Sequence, residues 1–261
     1  MSFSFVEFYA FLPAFLLVLF RVGGLILAAP MFNSSVLPAR IKTMIAVAIS
    51  LAVFPMMISY VPASITLGSA VAGLAGELAI GLFIGLGVTL LFVGIQIGAQ
   101  LVGQQSGIRL GNVFNPLAEA SGSILGQLYF LVALMVFLMV GGHRAVVRAL
   151  LDSFAAIPPM SFELSANLLD ILISICGLSF SIALRVAGPM ILALMLALVT
   201  LGFISRTLPQ LNILTVGFPI KLALALMIMA LTIMSLEPLL LDGLTIGLDG
   251  IRAGLGLAPM S

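Results

Sequence analysis

The sequence predicts an all-α membrane protein of about six long, kinked or broken hydrophobic helices that form hairpins. Three observations carry that prediction. Of the 261 residues, 62% are hydrophobic and 7% charged, and the mean hydropathy of +1.35 leaves too little polar surface to cover a water-soluble fold of this size. The apolar runs are of helical length; a bilayer offers no partners to free backbone groups, so spanning segments are helices or closed barrels, and barrel strands are alternating segments of about 10 residues. Nearly every run is also interrupted by Pro, Gly or a lone charge, and Arg21, Glu77, Arg185 and Lys221 within or beside them point to function beyond anchoring.

The runs cover residues 8–29, 43–61, 70–100, 124–140, 168–204 and 211–234, followed by a weaker amphipathic stretch over 236–257. The first follows a start without a basic region and continues through Arg21 without a cleavage context, so it reads as a retained span. The third carries seven glycines, including the pairs Gly81/Gly85 and Gly94/Gly98 at a small-xxx-small spacing that admits another backbone at close range. At 37 residues, the fifth run would be about 55 Å of helix against a hydrocarbon core of about 30 Å. A break or sharp kink is therefore expected at 185–189, where Pro189 removes a helical hydrogen bond and Arg185 needs a polar partner. Cys176, within that run, reads as a small core hydrophobe. Arg40, Lys42, Arg109 and Arg206 outnumber Arg144 and Arg148, which favours a cytoplasmic first connection.

Composition also narrows the chemistry. A net charge of +1 without clustered Lys and Arg excludes nucleic acid as a partner. One His, one Cys and scattered acids give no metal-ligand set. Ser106 with His143 weakly resembles the dyad of intramembrane rhomboid proteases, but Gln104 stands where that motif needs glycine. A solute or ion transporter is the stronger alternative, with Arg21, Glu77, Arg185 and Lys221 pairing along a path; structural pairing or snorkelling of Arg21 and Lys221 explains the same residues.

The segment 103–122, GQQSGIRLGNVFNPLAEASG, reads as an ordered loop between two spans. Pro116 biases Asn115 away from helix, and Ile108, Leu110, Val113 and Phe114 are too apolar to prefer open water. Such a loop at membrane depth is tolerated where protein encloses it or where it lines a cavity. It is a candidate plug or constriction, or equally a re-entrant or surface loop packed on its own subunit.

Several motifs together resemble the T-type export-gate family of type III secretion, in its flagellar branch. They are Arg21-Val22 with 37–42, LPARIK; Glu77 with Gly81 and Gly85; Gly103, Gln105, Gly107, Asn115 and Pro116; Gly142-His143 with 152–154 and Pro158; and 206–212, RTLPQLN, followed by 217–221, GFPIK. Asn115 stands where many members carry aspartate. The resemblance covers nearly the whole chain and implies a single export-gate membrane domain over 1–261, without enzymatic activity or cofactor. It implies assembly with FliP- and FliQ-type subunits into a ring in the bacterial inner membrane and flagellar basal body, in contact with FlhB- and FlhA-type components, lipid and unfolded export substrates. By carry-over, Ile108, Leu110, Val113 and Phe114 would seal the pore, while Gly103, Gln105, Gly107, Gly111, Asn115 and Pro116 shape the loop. Arg21, Glu77, Gly81, Gly85, Arg206, Pro209, Gln210, Gly217 and Pro219 would serve packing and assembly.

Overall fold

A computed structural model of the chain describes residues 5–32, 38–57, 67–106, 124–161, 166–208 and 213–254. Among them lie eight helices: α1 (Phe5–Ala28), α2 (Ala39–Met57), α3 (Leu67–Gln105), α4 (Ile124–Val140), α5 (Gly142–Ala156), α6 (Ala166–Thr207), α7 (Ile213–Met234) and α8 (Leu236–Gly254). Helices α1, α2, α3, α6 and α7 are each long and apolar enough to cross a membrane, and α4 with α5 qualifies as one broken span. The protein is an all-α, multi-pass membrane protein.

The helix bounds follow the apolar runs to within a few residues, with three differences. Helix α5 falls in a stretch expected to be a connection. Its Arg144, Arg148 and Asp152 interrupt the hydropathy at four-residue intervals, while Val146, Ala149, Leu150, Ser153 and Phe154 are buried on its other face. Gly141 separates α4 from α5 by adopting φ 82°, a left-handed conformation that costs glycine little and other residues more. Second, the break expected at 185–189 does not occur: α6 is assigned as helix throughout its 42 residues with Pro189 inside it. Proline removes one hydrogen bond there, and the remaining ladder continues the helix. Third, α3 is helical over 39 residues through Gly103 and Gln105, so the first residues of the expected loop close a helix instead.

The chain divides into two compact units, one of residues 1–90, 141–175 and 244–261, the other of residues 91–140 and 176–243. In the first, α3 lies against α1 along a seam made by glycine. A Cβ at Gly85 would stand 2.6 Å from that of Ala28, one at Gly81 would run into the Arg21 carbonyl, and one at Gly24 would strike the Leu78 carbonyl. Thr89 extends the seam by donating its hydroxyl to the Ala28 carbonyl. Contacts climb both helices in the same direction, Arg21 with Gly81 and Ala28 with Gly85, so α1 and α3 run parallel. Helix α2 runs antiparallel to α1, with Phe54 edge-on to both Phe11 and Phe15 at 6.0 and 6.1 Å. The N-terminal Gly81/Gly85 pair thus does what its spacing predicts.

The second unit repeats the device with Gly94 and Gly98, which face the Ser179 and Ala183 carbonyls of α6. Phe92 of α3 meets Phe130 and Phe137 of α4 edge-on at 5.8 and 5.3 Å, an arrangement the ring quadrupole favours. Beside them Val102, Leu125, Ala187, Met190, Leu194 and Ala225 form a buried apolar cluster. Tyr129 brings its hydroxyl into this interior and donates to the Met229 carbonyl at 3.4 Å.

Two glycines in α1 and α3 separate close approach from mere helix flexibility. Gly81→Ala, which drives a methyl into backbone, is expected to cost about 1–3 kcal/mol, whereas Gly23→Ala, whose Cβ meets nothing within 4 Å, is expected to be neutral or to gain about 0.5–1 kcal/mol. Thermal unfolding of the two purified variants in one detergent measures both.

Candidate functional site

Arg21 and Glu77 are completely buried, and they find each other. Both lie on the glycine seam of the first unit, Glu77 one helical turn before Gly81, so the close approach of α1 and α3 delivers a guanidinium to a carboxylate. Arg21 Nε donates to Glu77 Oε2 at 2.5 Å. Its Nη1 donates to Ser153 Oγ at 3.2 Å and its Nη2 to the Ile157 carbonyl at 3.0 Å. The Phe154 ring packs beneath the guanidinium, with Cζ 4.1 Å from the ring centroid, a cation–π contact strengthened by desolvation.

The other carboxylate oxygen is also engaged. Glu77 Oε1 accepts the Met160 backbone N–H at 3.2 Å, and Met160 has φ 69°, a conformation that costs a non-glycine residue about 1 kcal/mol or more. The buried acid thereby holds a strained turn that follows Pro158 and Pro159. Ser153, accepting from Arg21, donates in turn to the Leu150 carbonyl at 2.7 Å. All three guanidinium nitrogens and both carboxylate oxygens are bonded, which a buried pair requires to offset its desolvation. Chemically this arrangement is a clasp joining α1, α3 and the turn after α5. Its polar atoms are taken up by the fold.

A second ion pair, Arg252 with Asp152, joins α8 to α5 in the same unit, and Ile251 of α8 packs over Gly87. From the sequence, Arg21 and Glu77 stand with Arg185 and Lys221 as candidates for ion pairing, but nothing there singles out the Arg21–Glu77 pair, joins it to 152–154 or points to Ile157 and Met160. The Pro158-Pro159 pair was the available signal for a fixed turn.

The remaining site residues are dispersed. Gly103 is buried in the last turns of α3, Gln105 is its exposed final residue, and Ser106 closes the helix by donating its hydroxyl to the Gly103 carbonyl at 3.1 Å. That hydroxyl is therefore not directed to a histidine as a protease dyad would need. Ile108, Leu110, Val113 and Phe114, together with Gly107, Gly111, Asn115 and Pro116, lie outside the described residues, as do Pro209 and Gln210. Arg206 is exposed in the last turn of α6, where a cation favours the helix dipole. Gly217 is buried and Pro219 exposed, both inside α7. Arg185 is exposed on α6 and Lys221 half-buried on α7; neither joins an ion pair among the described residues. Cys176 is exposed on α6, contrary to its expected place in the core.

The clasp makes a quantitative prediction. Glu77→Ala and Arg21→Ala should each destabilise the protein by about 3–5 kcal/mol, because each leaves its partner charged and buried, while the Arg21→Met/Glu77→Leu double variant should recover part of that loss. Denaturant titration in mild detergent of the three variants checks the order.

Comparison with known proteins gives a consistent result. The model of the family of bacterial export proteins, family 1, matches residues 12–245. The flagellar biosynthetic protein FliR of Pectobacterium carotovorum subsp. carotovorum is 31% identical over 221 residues, covering 84% of this chain and 83% of that protein. The FliR protein of Escherichia coli K12 is 28% identical with 81% of each chain covered, and that of Bacillus subtilis 168 is 27% identical with 95% and 97% covered. With the family match running from α1 into α8, the chain belongs to family 1 of the bacterial export proteins.

Proposed function

We propose that the protein is a non-enzymatic structural subunit of the flagellar type III export gate in the bacterial inner membrane, and that it helps form and close the channel through which unfolded flagellar proteins leave the cell. The observation that carries this reading is the family match over 12–245, together with relatives named for flagellar biosynthesis over most of their length. Its partners would be FliP- and FliQ-type membrane subunits, with FlhB- and FlhA-type components adjoining.

An exposed charge on α6 supports assembly with partners. Arg185 stands among exposed Phe180, Leu184 and Leu192, about 30 Å from either end of a 42-residue helix. Facing lipid, it would cost several kcal/mol; paired with an acid of a partner subunit or facing water, it would cost far less. The transporter alternative loses its best-placed residues, because Arg21 and Glu77 are bonded to each other and to the fold.

The segment between α3 and α4 is the candidate closure. Ile108, Leu110, Val113 and Phe114 would exclude water and ions from the shut gate by packing, and an arriving chain would displace them sterically. Arg206, Pro209 and Gln210, at the junction of α6 and α7, would fix the subunit in its assembly.

Affinity purification from membranes followed by mass spectrometry is expected to recover P-type and Q-type subunits in a stable large complex, and to recover less of it after substitution of Arg206 or Pro209. Replacing Leu110 and Phe114 with Ala, or deleting 108–114, should raise ion permeability of the assembled complex without reducing its recovery. Unchanged permeability in an assembled complex rejects the plug, and a homodimer or monomer without such subunits rejects the gate.

A further inference from the structure

Between the connected ends of α1 and α2 lies an open groove of about 340 Å³, within the roughly 300–1,000 Å³ of ordinary small-ligand sites. Phe20, Gly23 and Leu27 of α1, Lys42 and Val47 of α2 and Leu78 of α3 form most of its lining. Apart from Lys42 and Thr43 the lining residues are apolar. Space is open above Gly23, where an added Cβ would meet nothing within 4 Å.

The groove has a direction. Helices α1 and α2 are antiparallel, with Phe11 and Phe15 against Phe54 at one end and the linked ends, residues 28 and 39, at the other. Lys42 and Leu27 therefore lie near the linked end, while Phe20 and Val47 lie deeper along the two spans. Leu19 to Leu27, both on the lining, cover about 12 Å of helix axis. Leu27 is 64% exposed and Val47 44%, so the apolar walls open outward. Lys42 sits one turn into α2, beside exposed Arg40, where the span Ala39–Met57 begins. A cation at that level snorkels into the headgroup region, where anionic lipid attracts it.

We infer that this groove is a binding site for an anionic phospholipid, one acyl chain lying over Gly23 between α1 and α2 with the phosphate at Lys42. Apolar walls alone would accept any lipid or a partner helix; the single cation at the span end selects a negatively charged headgroup over a zwitterionic one. The site requires that this face meet lipid and not a partner subunit, which the crosslink below tests separately from the export reading.

The test uses the full chain with whatever subunits accompany it, delipidated in detergent and titrated separately with phosphatidylglycerol and phosphatidylcholine of identical acyl chains, with bound lipid read by native mass spectrometry. The wild type should prefer phosphatidylglycerol. Lys42→Gln should lower phosphatidylglycerol affinity about fivefold, the effect of one basic residue at a membrane surface, and leave phosphatidylcholine unchanged. Gly23→Leu, which fills the groove, should lower binding of both lipids about tenfold, whereas Gly23→Ala should retain both. Equal wild-type affinity for the two lipids, or wild-type binding by both the Lys42→Gln and Gly23→Leu variants, overturns the proposal. So does a photo-crosslinker at Val47 that captures a protein subunit in intact membranes in place of lipid. Because Lys42→Gln removes the charge without filling the groove, its result stands even if Gly23→Leu fails to fold.

Discussion

The first unit is organised around one electrostatic constraint: a guanidinium that cannot reach water must be neutralised where it stands. Arg21 is fully buried, and its partners lie 56, 132 and 136 residues away along the chain. Meeting that demand draws together α1, α3 and the exit of α5. The seam that makes the pairing possible is steric. Glu77, Gly81, Gly85 and Thr89 recur every four residues along α3, placing an acid, two absent side chains and a hydroxyl donor in register against α1. Remove the glycines and the helices separate; the ion pair then lengthens and admits water. Remove the ion pair and the glycine seam closes over an unpaired charge. Packing and charge are therefore one interaction viewed from two sides.

The second unit brings its helices together by the same glycine device. Gly94 and Gly98 bring α3 onto α6, and the interior is completed by edge-to-face rings, the apolar cluster around Met190 and a tyrosine hydroxyl bonded to a backbone carbonyl. Helix α3 thus carries two glycine pairs in sequence, each serving a different unit.

Hydropathy and spacing made the spans and both glycine pairs legible before any coordinates, because each depends on residues close in sequence. Helix α5 was not legible in the same way. Its apolar residues are buried against protein, not lipid, so it has a face in place of a long apolar run, and its three charges made it look like a connection. The ion pair was half legible: a buried arginine demands an acid, but nothing local says that Glu77 supplies it or that Met160 shares it. At Pro189 one lost hydrogen bond does not end the helix, because the bonds on either side of it persist. Cys176 shows the reverse error, for an apolar neighbourhood in sequence is no guide to burial when most of a helix's surface is itself apolar.

The long reach of the Arg21 clasp also bears on how the protein is made. The arginine enters the membrane in the first span, but the last of its acceptors lies 136 residues downstream, on the order of ten seconds of translation at ordinary rates. Until Glu77 follows, 56 residues on, the nascent chain holds an uncompensated cation in α1. The remaining guanidinium donors are satisfied only when Ser153 and Ile157 arrive. A chain cut before residue 77 thus exposes a charge that the finished protein conceals completely.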